Sequence, residues 1–226
     1  MTSSGGDDTF RRVASAVAGA PAKASAGKQD PGEHISPVPP KAPALPKEWP
    51  HLGAPVAAWA YRDATGQVLR YTLRFAKPDG DKEIRPATLW RQKPGAPMRW
   101  RPAAEPGKRP LYGLDTLAAR PTAPVLLVEG EKSADAAAQR FPDCVAMTWP
   151  GGANAIGKAD FTPLQGRRVL IWPDADDPGR KAAQAALRAA SMAGAQSVAA
   201  VRLPAYLPKG WDLADDWPPT FGPADA

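Results

Sequence analysis

The sequence predicts an α/β protein with a compact, mostly parallel sheet flanked by helices, preceded by a small β-rich basic unit. Apolar runs of strand length alternate with helix-length segments in the second half of the chain, an order typical of parallel sheets. Charge is unevenly divided: residues 1–124 carry 19 Lys and Arg against 11 Asp and Glu, whereas residues 125–226 carry 10 against 12. The basic excess therefore precedes the predicted sheet, where it suits either a nucleic-acid partner or a solvated face.

Composition divides the chain into four predicted segments. Residues 1–48 are rich in Pro and Ala and poor in large apolar side chains, so we expect a disordered arm. Residues 49–110 form the predicted basic β unit, residues 111–217 the α/β domain, and residues 218–226 a flexible tail. The chain has no apolar run long enough for a membrane span and no signal-peptide pattern, which favours a cytoplasmic protein.

Residues 56–75 predict a β-hairpin. Trp59 and Tyr61 alternate with smaller residues, residues 63–66 supply a turn, and apolar side chains recur at odd positions from 69 to 75. Short strands and turns are expected to continue to residue 110.

Arginines in this unit are interleaved with Trp90 and Trp100, a composition typical of single-stranded nucleic-acid binding. The candidate contacts are Arg70, Arg74, Arg99 and Arg101. An alternative of equal weight makes the aromatic side chains the core of the small unit, with the arginines lying over them.

The second half of the chain alternates strands and helices. The pattern predicts strands at residues 125–128, 146–149, 168–172 and 197–203, and helices at residues 115–119, 133–140 and 178–193. Asp177 followed by Pro178 is typical of a helix N-cap and the first helical residue. Cys144 is expected to be a free thiol in the core, and a single cysteine excludes a cysteine-rich zinc ribbon within this sequence.

Carboxylates follow two of the predicted strands. Glu129 comes directly after residues 125–128, and Asp174 and Asp176 follow residues 168–172. Because ligands of parallel sheets bind beyond the carboxyl ends of the strands, we expect these three acids to converge at one edge. Hard oxygen ligands in small number suit Mg²⁺, with Mn²⁺ as the alternative cation.

A strand ending in Glu-Gly, then a helix, a Gly-containing turn and a strand ending in Asp-x-Asp, resembles the Toprim domain of DNA primases, topoisomerases and some nucleases. The segments VEGEKSADAA, WPGGANA, WPDADDPGR and GWDLAD are most similar to the primase-helicase proteins of phages and other mobile elements. The resemblance covers about residues 110–217.

The resemblance implies roles for individual residues. Glu129 would be the general acid/base or a metal ligand, Asp174 and Asp176 metal ligands, and Asp212 a further acid closing the site. The Gly turn with Gly151, Gly152 and Asn154, together with Lys132, would flank the metal site and meet phosphates. One departure is that Ser133 stands where many primases have an acid, and the nearest later acid is Asp135.

Residues 152–159 also match the phosphate-loop pattern G-x-x-x-x-G-K, but Ala159 stands where that loop needs Ser or Thr. Pro163 would also interrupt the helix that must follow. The Toprim interpretation explains Glu129, and the phosphate-loop interpretation does not.

The function that the sequence predicts is Mg²⁺-dependent, primase-type nucleotidyl transfer in the replication of a mobile element. Its expected partners are single-stranded DNA, nucleoside triphosphates and a replicative helicase encoded elsewhere or missing from a fragment. Two alternatives stay open: a metal-dependent nuclease that uses the same acids on water, and a non-catalytic nucleic-acid-binding or scaffold module.

Overall fold

The computed structural model describes residues 32–219, which lie within one compact unit built around two sheets. Residues 1–31 and 220–226, which hold most of the predicted arm and tail, lie outside the described residues. The first sheet is antiparallel and the second is parallel, so the predicted fold class is confirmed. None of the helices in the described part of the chain is long and apolar enough to cross a membrane.

The antiparallel sheet contains five strands. They are β1 (Glu33–Ile35), β2 (Ala57–Arg62), β3 (Val68–Ala76), β4 (Lys82–Arg91) and β5 (Met98–Arg101). Their order is β1-β4-β3-β2, and β5 pairs with the second half of β4.

The predicted hairpin is formed by β2 and β3. Asp63 builds its turn by accepting hydrogen bonds from the main-chain N–H groups of Thr65 and Gln67, at 2.8 and 3.0 Å. Gly66 takes a positive φ of 84°, which glycine adopts without steric cost. The turn residues therefore do what the sequence pattern predicts.

The predicted disordered arm extends too far along the chain. β1 pairs with the end of β4, placing His34 opposite Trp90, and Trp49 is buried with Leu73 and Phe75 in the core of this sheet. Residues 32–48 therefore belong to the folded unit. The few apolar side chains of this segment did not indicate a folded structure locally, because they are buried only against the hairpin, which is distant in the sequence.

The two faces of the antiparallel sheet differ in chemistry. Leu73, Phe75 and Ala87 form the apolar face with Trp49. The alternate positions of β3 carry polar side chains, which lie on the opposite face because strand side chains alternate.

The α/β part follows the predicted alternation of strands and helices. Its strands are β6 (Val125–Val128), β7 (Val145–Thr148), β8 (Arg168–Trp172) and β9 (Ser197–Ala200), in the order β7-β6-β8-β9. Its helices are α1 (Leu114–Ala119), α2 (Glu131–Arg140) and α3 (Asp177–Met192), with short 3₁₀ segments at Ala153–Lys158 and Thr162–Leu164. All four residues of β6 are buried, as expected for a central strand covered on both faces.

Helices cover both faces of the parallel sheet. Alanines of α3 pack on one face with Leu127 and Ile171, and Ala134 and Ala137 of α2 pack on the other with Leu126. Small side chains permit this close packing of helix on strand.

The start of α3 differs from the prediction by one residue. Asp176, not Asp177, is the N-cap, because its side chain accepts a hydrogen bond from the main-chain N–H of Gly179 at 2.7 Å. Asp177 is the first helical residue and Pro178 the second. From the sequence, the adjacent residues Asp176 and Asp177 are almost equally good candidates for the N-cap, so only the backbone geometry distinguishes them.

Candidate active site

Three of the predicted acids line one cavity of about 410 Å³: Glu129, Asp174 and Asp212. Glu129 lies beyond the end of β6, and Asp174 beyond the end of the neighbouring parallel strand β8. The structure therefore brings these carboxylates together at the carboxyl edge of the sheet, where the sequence placed them.

Glu129 is held by the Gly turn that follows β7. The main-chain N–H of Ala153 donates to Oε1 of Glu129 at 2.9 Å, and the N–H of Gly130 donates to the Thr148 hydroxyl at 2.9 Å. Burial raises the pKa of Glu129, the Ala153 hydrogen bond opposes that shift, and the Asp176 charge adds to it. The Glu129 carboxyl is therefore held in place, and its pKa lies above the ordinary value.

Asp174 is the most strongly perturbed acid of the cavity. Burial, followed by the charges of Glu129, Asp212 and Asp176, raises the pKa of Asp174 to about 8. The carboxylates are crowded enough to repel one another, and a bound cation would relieve that repulsion.

Asp176 does not line the cavity with the other acids. Its Oδ1 caps α3, yet its charge contributes to the raised pKa values of both Glu129 and Asp174. Asp176 therefore lies close enough to influence the site electrostatically, while one of its oxygens is already engaged.

Asp212 reaches the cavity on a C-terminal strap, which we define as residues 210–217. The strap pairs with the chain just after Asp174, since the N–H of Ala175 donates to the carbonyl of Trp211 at 2.9 Å. Arg140 holds the strap from the far end of α2, donating to the carbonyl of Leu213 at 3.0 Å and lying 5.0 Å from the ring centre of Trp217.

The antiparallel sheet contributes basic side chains to the same cavity. Arg74 of β3 and Lys82 of β4 line the cavity, as do Arg109 and Lys132. The charge of Lys82 lowers the pKa of Glu129 and of Asp174, against the larger effect of burial. We call Arg74 and Lys82 the cation wall.

Sequence reasoning missed Lys82 and Arg109 as residues of this cavity. The alternation of β4 places Lys82 on the same face as Pro86, which lies opposite Thr72 of β3. This strand register would have predicted that Lys82 lies on the polar face of the sheet, but only once β4 had been recognised as the partner of β3.

Arg70 lines the acid cavity, but its guanidinium is already paired within the protein, so its contact with nucleic acid stays a prediction. Arg70 is buried, donates to both oxygens of Glu105 at 2.9 Å, and lies 4.8 Å from the ring centre of Tyr61. Its paired charge and its position over an aromatic ring match the alternative interpretation, in which arginines cover a small aromatic core.

Arg99 and Arg101 lie apart from Arg74. They line a different cavity, of about 360 Å³, together with Trp90 and Gln92. Trp90 is buried, and the Arg101 guanidinium lies 5.5 Å from its ring centre. The predicted set of four arginines is therefore not one continuous surface.

The Gly turn contributes only part of what was predicted. Gly151 and Gly152 line the acid cavity, whereas the Asn154 side chain is exposed and is not among the residues lining that cavity. Residues 153–158 form a 3₁₀ segment rather than the loop and α-helix of a phosphate loop, and Lys158 is exposed. The phosphate-loop interpretation does not fit this geometry.

Within residues 32–219, no group of three or more His, Cys, Asp or Glu side chains is placed so that it could hold a metal ion. What the structure gives is a crowded set of hard oxygen donors that line one cavity, which is the chemistry that Mg²⁺ or Mn²⁺ requires. The donor atoms are therefore of the chemical type that such a cation prefers.

Comparison with known proteins gives one family match. Residues 64–175 match the family described as Domain of unknown function (DUF6371). The matched span contains Glu129 and Asp174 and ends before Asp176 and Asp212. No curated protein sequence matches the chain.

Among solved structures, the chain is similar to the zinc-binding and RNA polymerase domains of the Aquifex aeolicus primase, with 21% identity over 70% of this chain and 35% of that one, at a TM-score of 0.46. The primase fragment of the bacteriophage T7 primase-helicase protein gives 19% identity, 65% and 52% coverage, and a TM-score of 0.40. The DnaG primase catalytic domain bound to single-stranded DNA gives 22% identity, 70% and 45% coverage, and a TM-score of 0.42.

The chain thus spans between 35% and 52% of the length of these three structures. At such TM-scores the similarities add no weight to a functional assignment, which is based here on the site itself.

Proposed function

We propose that this chain is a Mg²⁺-dependent nucleic-acid enzyme that carries out primase-type nucleotidyl transfer. One observation carries the proposal: the acids Glu129, Asp174 and Asp212, which we call the acid edge, line the same cavity as the cation wall. A Mg–nucleoside triphosphate has the complementary charges, because its cation needs carboxylates and its phosphates need Lys and Arg.

Glu129, Asp174 and Asp212 would hold the cation, with Asp176 as a further candidate ligand. Mg²⁺, or Mn²⁺ in its place, would align a 3′-hydroxyl with the triphosphate and stabilise the developing charge. This role agrees with the raised pKa of Asp174, about 8, since crowded carboxylates favour a neutralising cation.

The remaining polar residues of the cavity would bind and orient the nucleotide. Arg74, Lys82 and Arg109 line it, as do Lys132 and the two glycines of the turn. Both glycines have positive φ values, 93° at Gly151 and 68° at Gly152, and a Cβ atom at Gly152 would lie 3.6 Å from Oε1 of Glu129. Glu129 is positioned to accept or release the proton of the reacting hydroxyl.

Single-stranded DNA is the proposed template. Arg99 and Arg101 offer phosphate contacts at the second cavity, and Arg74 offers them beside the acids. The setting that we propose is replication of a mobile element, with a replicative helicase as partner, on the strength of the primase-helicase resemblance of the Toprim segments.

Primer synthesis on a single-stranded DNA template with labelled nucleoside triphosphates and Mg²⁺ tests the proposal. Glu129→Gln and Asp174→Asn should abolish Mg²⁺-dependent product while a cooperative melt is retained. Asp143→Ala is the matched control, because Asp143 is an exposed acid on the loop after α2. Unchanged synthesis in both site variants would contradict the assignment.

The same preparation separates the alternatives. Release of short products from a labelled oligonucleotide, without nucleotide incorporation, would identify a nuclease that uses the same acids on water. Salt-dependent oligonucleotide binding with neither reaction would identify a non-catalytic module.

A further inference from the structure

Two acids of α2 follow Glu129 in the sequence, and both accept hydrogen bonds from aromatic side chains. Glu131 lines the acid cavity, whereas Asp135 is not among its lining residues. Asp135 accepts hydrogen bonds on both carboxylate oxygens, from the indole N–H of Trp59 at 2.7 Å and from the hydroxyl of Tyr112 at 2.9 Å. Glu131, one turn earlier, accepts a hydrogen bond on Oε1 from the hydroxyl of Tyr61 at 2.7 Å.

These contacts join the two sheets. Trp59 and Tyr61 lie on β2 of the antiparallel sheet, whereas Glu131 and Asp135 lie on α2, which packs on the parallel sheet. Tyr112 precedes α1 and packs against Tyr61, with ring centres 5.4 Å apart. We call these five residues the docking clamp.

The clamp is buried enough for its hydrogen bonds to matter. Tyr61 is 0% exposed and Glu131 is 8% exposed, whereas Trp59, Tyr112 and Asp135 are half-buried. Burying a carboxylate at the position of Glu131 costs free energy unless hydrogen-bond donors satisfy it. A tyrosine hydroxyl or a tryptophan indole can donate only to an acceptor that lies within hydrogen-bonding distance and in the right direction. The clamp therefore fixes the orientation of β2 on α2 rather than merely adding contact area.

We propose that Glu131 and Asp135 are positioning residues, which hold the cation wall of the antiparallel sheet at its working distance from the acid edge. Glu129 and Glu131 are two residues apart, and β2 is paired with β3, which carries Arg74. The docking clamp thus links the acid edge to the cation wall, through the first turn of α2 on one side and the β2–β3 pair on the other. This inference rests on the proposed function for its ligand.

The inference also assigns the acid that the Toprim resemblance left without a role. Asp135 is the nearest acid downstream of Ser133, but both of its oxygens are already engaged by the clamp. Ligation of a cation through Asp135 would therefore compete with at least one of these two aromatic donors.

Two probes distinguish positioning from general stability. Tb³⁺ titration, followed by its sensitised luminescence, measures the acid edge alone, whereas Mg–ATP titration requires both the acid edge and the cation wall. Asp135→Ala should weaken Mg–ATP binding by about tenfold or more, since misplacement by about an ångström is severe, and leave Tb³⁺ affinity within about twofold. Asp143→Ala should change neither.

Conservative variants protect the test against misfolding. Trp59→Phe and Tyr112→Phe each remove one donor and should each give a smaller loss of Mg–ATP affinity than Asp135→Ala. Asp135→Asn keeps one carbonyl acceptor and should restore part of the loss. Amide hydrogen exchange in β2 and α2 should rise in all of these variants.

Equal losses of Tb³⁺ and Mg–ATP affinity, or unchanged hydrogen exchange in β2, would overturn the positioning role. If the unmodified protein bound neither probe, the proposed function would fail. The hydrogen-exchange comparison would still decide whether the clamp holds the two sheets together.

Discussion

Gly179 approaches Asp174 so closely that a Cβ atom at position 179 would lie 2.5 Å from the main-chain oxygen of Asp174. The first turn of α3 therefore packs directly on the backbone of Asp174, whose carboxylate lines the candidate active site. The contact leaves no room for a methyl group, because the obstructing atoms belong mainly to the backbone.

Replacing Gly179 by Ala should destabilise the protein, by about 1–3 kcal/mol of unfolding free energy, because the added methyl overpacks this contact. Inside a helix, replacing Gly by Ala ordinarily stabilises a protein. A loss of unfolding free energy in Gly179→Ala would therefore point to the close contact with Asp174. Gly157→Ala is the control, since a Cβ there meets nothing within 4 Å. Denaturant unfolding of the two variants gives the comparison, and a stabilised Gly179→Ala would contradict the packing.

Asp176 combines a helix cap with a negative charge beside the site, and Asn separates these two roles. Asn caps helices about as well as Asp, so Asp176→Asn should keep the unfolding free energy within about 0.5 kcal/mol. If Asp176 is also a metal ligand, the rate of Mg²⁺-dependent synthesis should fall at least about 100-fold. Full activity in Asp176→Asn, with a stability loss only in Asp176→Ala, would limit Asp176 to capping.

Local patterns predicted most of the elements and the meeting of the acids. The apolar runs before Glu129 and Asp174 and the turn after Arg62 are local signals, and they placed β6, β8 and the hairpin correctly. Parallel pairing of β6 with β8 then dictated that the two carboxylates share an edge.

What local patterns did not indicate depends on residues distant in the sequence. Arg70 alternates correctly onto the polar face of β3, but Glu105, 35 residues later, pairs with it there. Similarly, no local pattern could reveal that Lys82 lines the same cavity as Glu129, because that placement depends on how the two sheets pack together. The one-residue error at Asp177 reflects two adjacent acids with nearly equal capping propensity.

Metal-free protein should lose stability as pH rises, because of Asp174. The folded-state pKa of Asp174 is about 8, against an ordinary value of 3.8, so the folded protein holds a proton that the unfolded chain has lost. That stabilisation is complete below about pH 4 and is lost as pH rises toward about pH 8.

Melting temperatures measured in chelator across this range should therefore fall less steeply for Asp174→Asn than for the unmodified protein. Added Mg²⁺ should also flatten the dependence in the unmodified protein. Parallel pH profiles for the two proteins in chelator would argue that Asp174 titrates normally.

Lys158 provides a check on the rejected phosphate-loop interpretation. Its side chain is exposed, and its main-chain carbonyl accepts the N–H of Arg109 at 2.8 Å, a bond that a side-chain substitution preserves. Lys158→Ala should therefore cost less than about tenfold in rate, whereas loss of a phosphate-loop lysine would abolish nucleotide binding. Mg–ATP titration and primer synthesis on the same variant supply the measurement.

Lys82 should be the most consequential residue that local sequence patterns did not indicate. It lines the acid cavity, and its charge lowers the pKa of both Glu129 and Asp174. Lys82→Ala should lower kcat/KM about tenfold or more, because one charged phosphate contact is lost from a preorganised site. It should also move the acidic limb of the pH–rate profile to higher pH, since both carboxyl groups lose a favourable neighbour.

Lys82→Arg keeps the positive charge and should restore the pH profile more fully than the rate, because a guanidinium differs from an ammonium in shape. Lys77→Ala is the matched control on the same hairpin, where Lys77 is paired with Asp81 at 3.7 Å and is absent from the residues lining the cavity. Equal losses of kcat/KM in Lys77→Ala and Lys82→Ala would mean that the activity depends on the overall positive charge of this region rather than on the position of Lys82. A lost rate with an unmoved pH profile would place the Lys82 ammonium on the phosphates alone, away from the carboxylates.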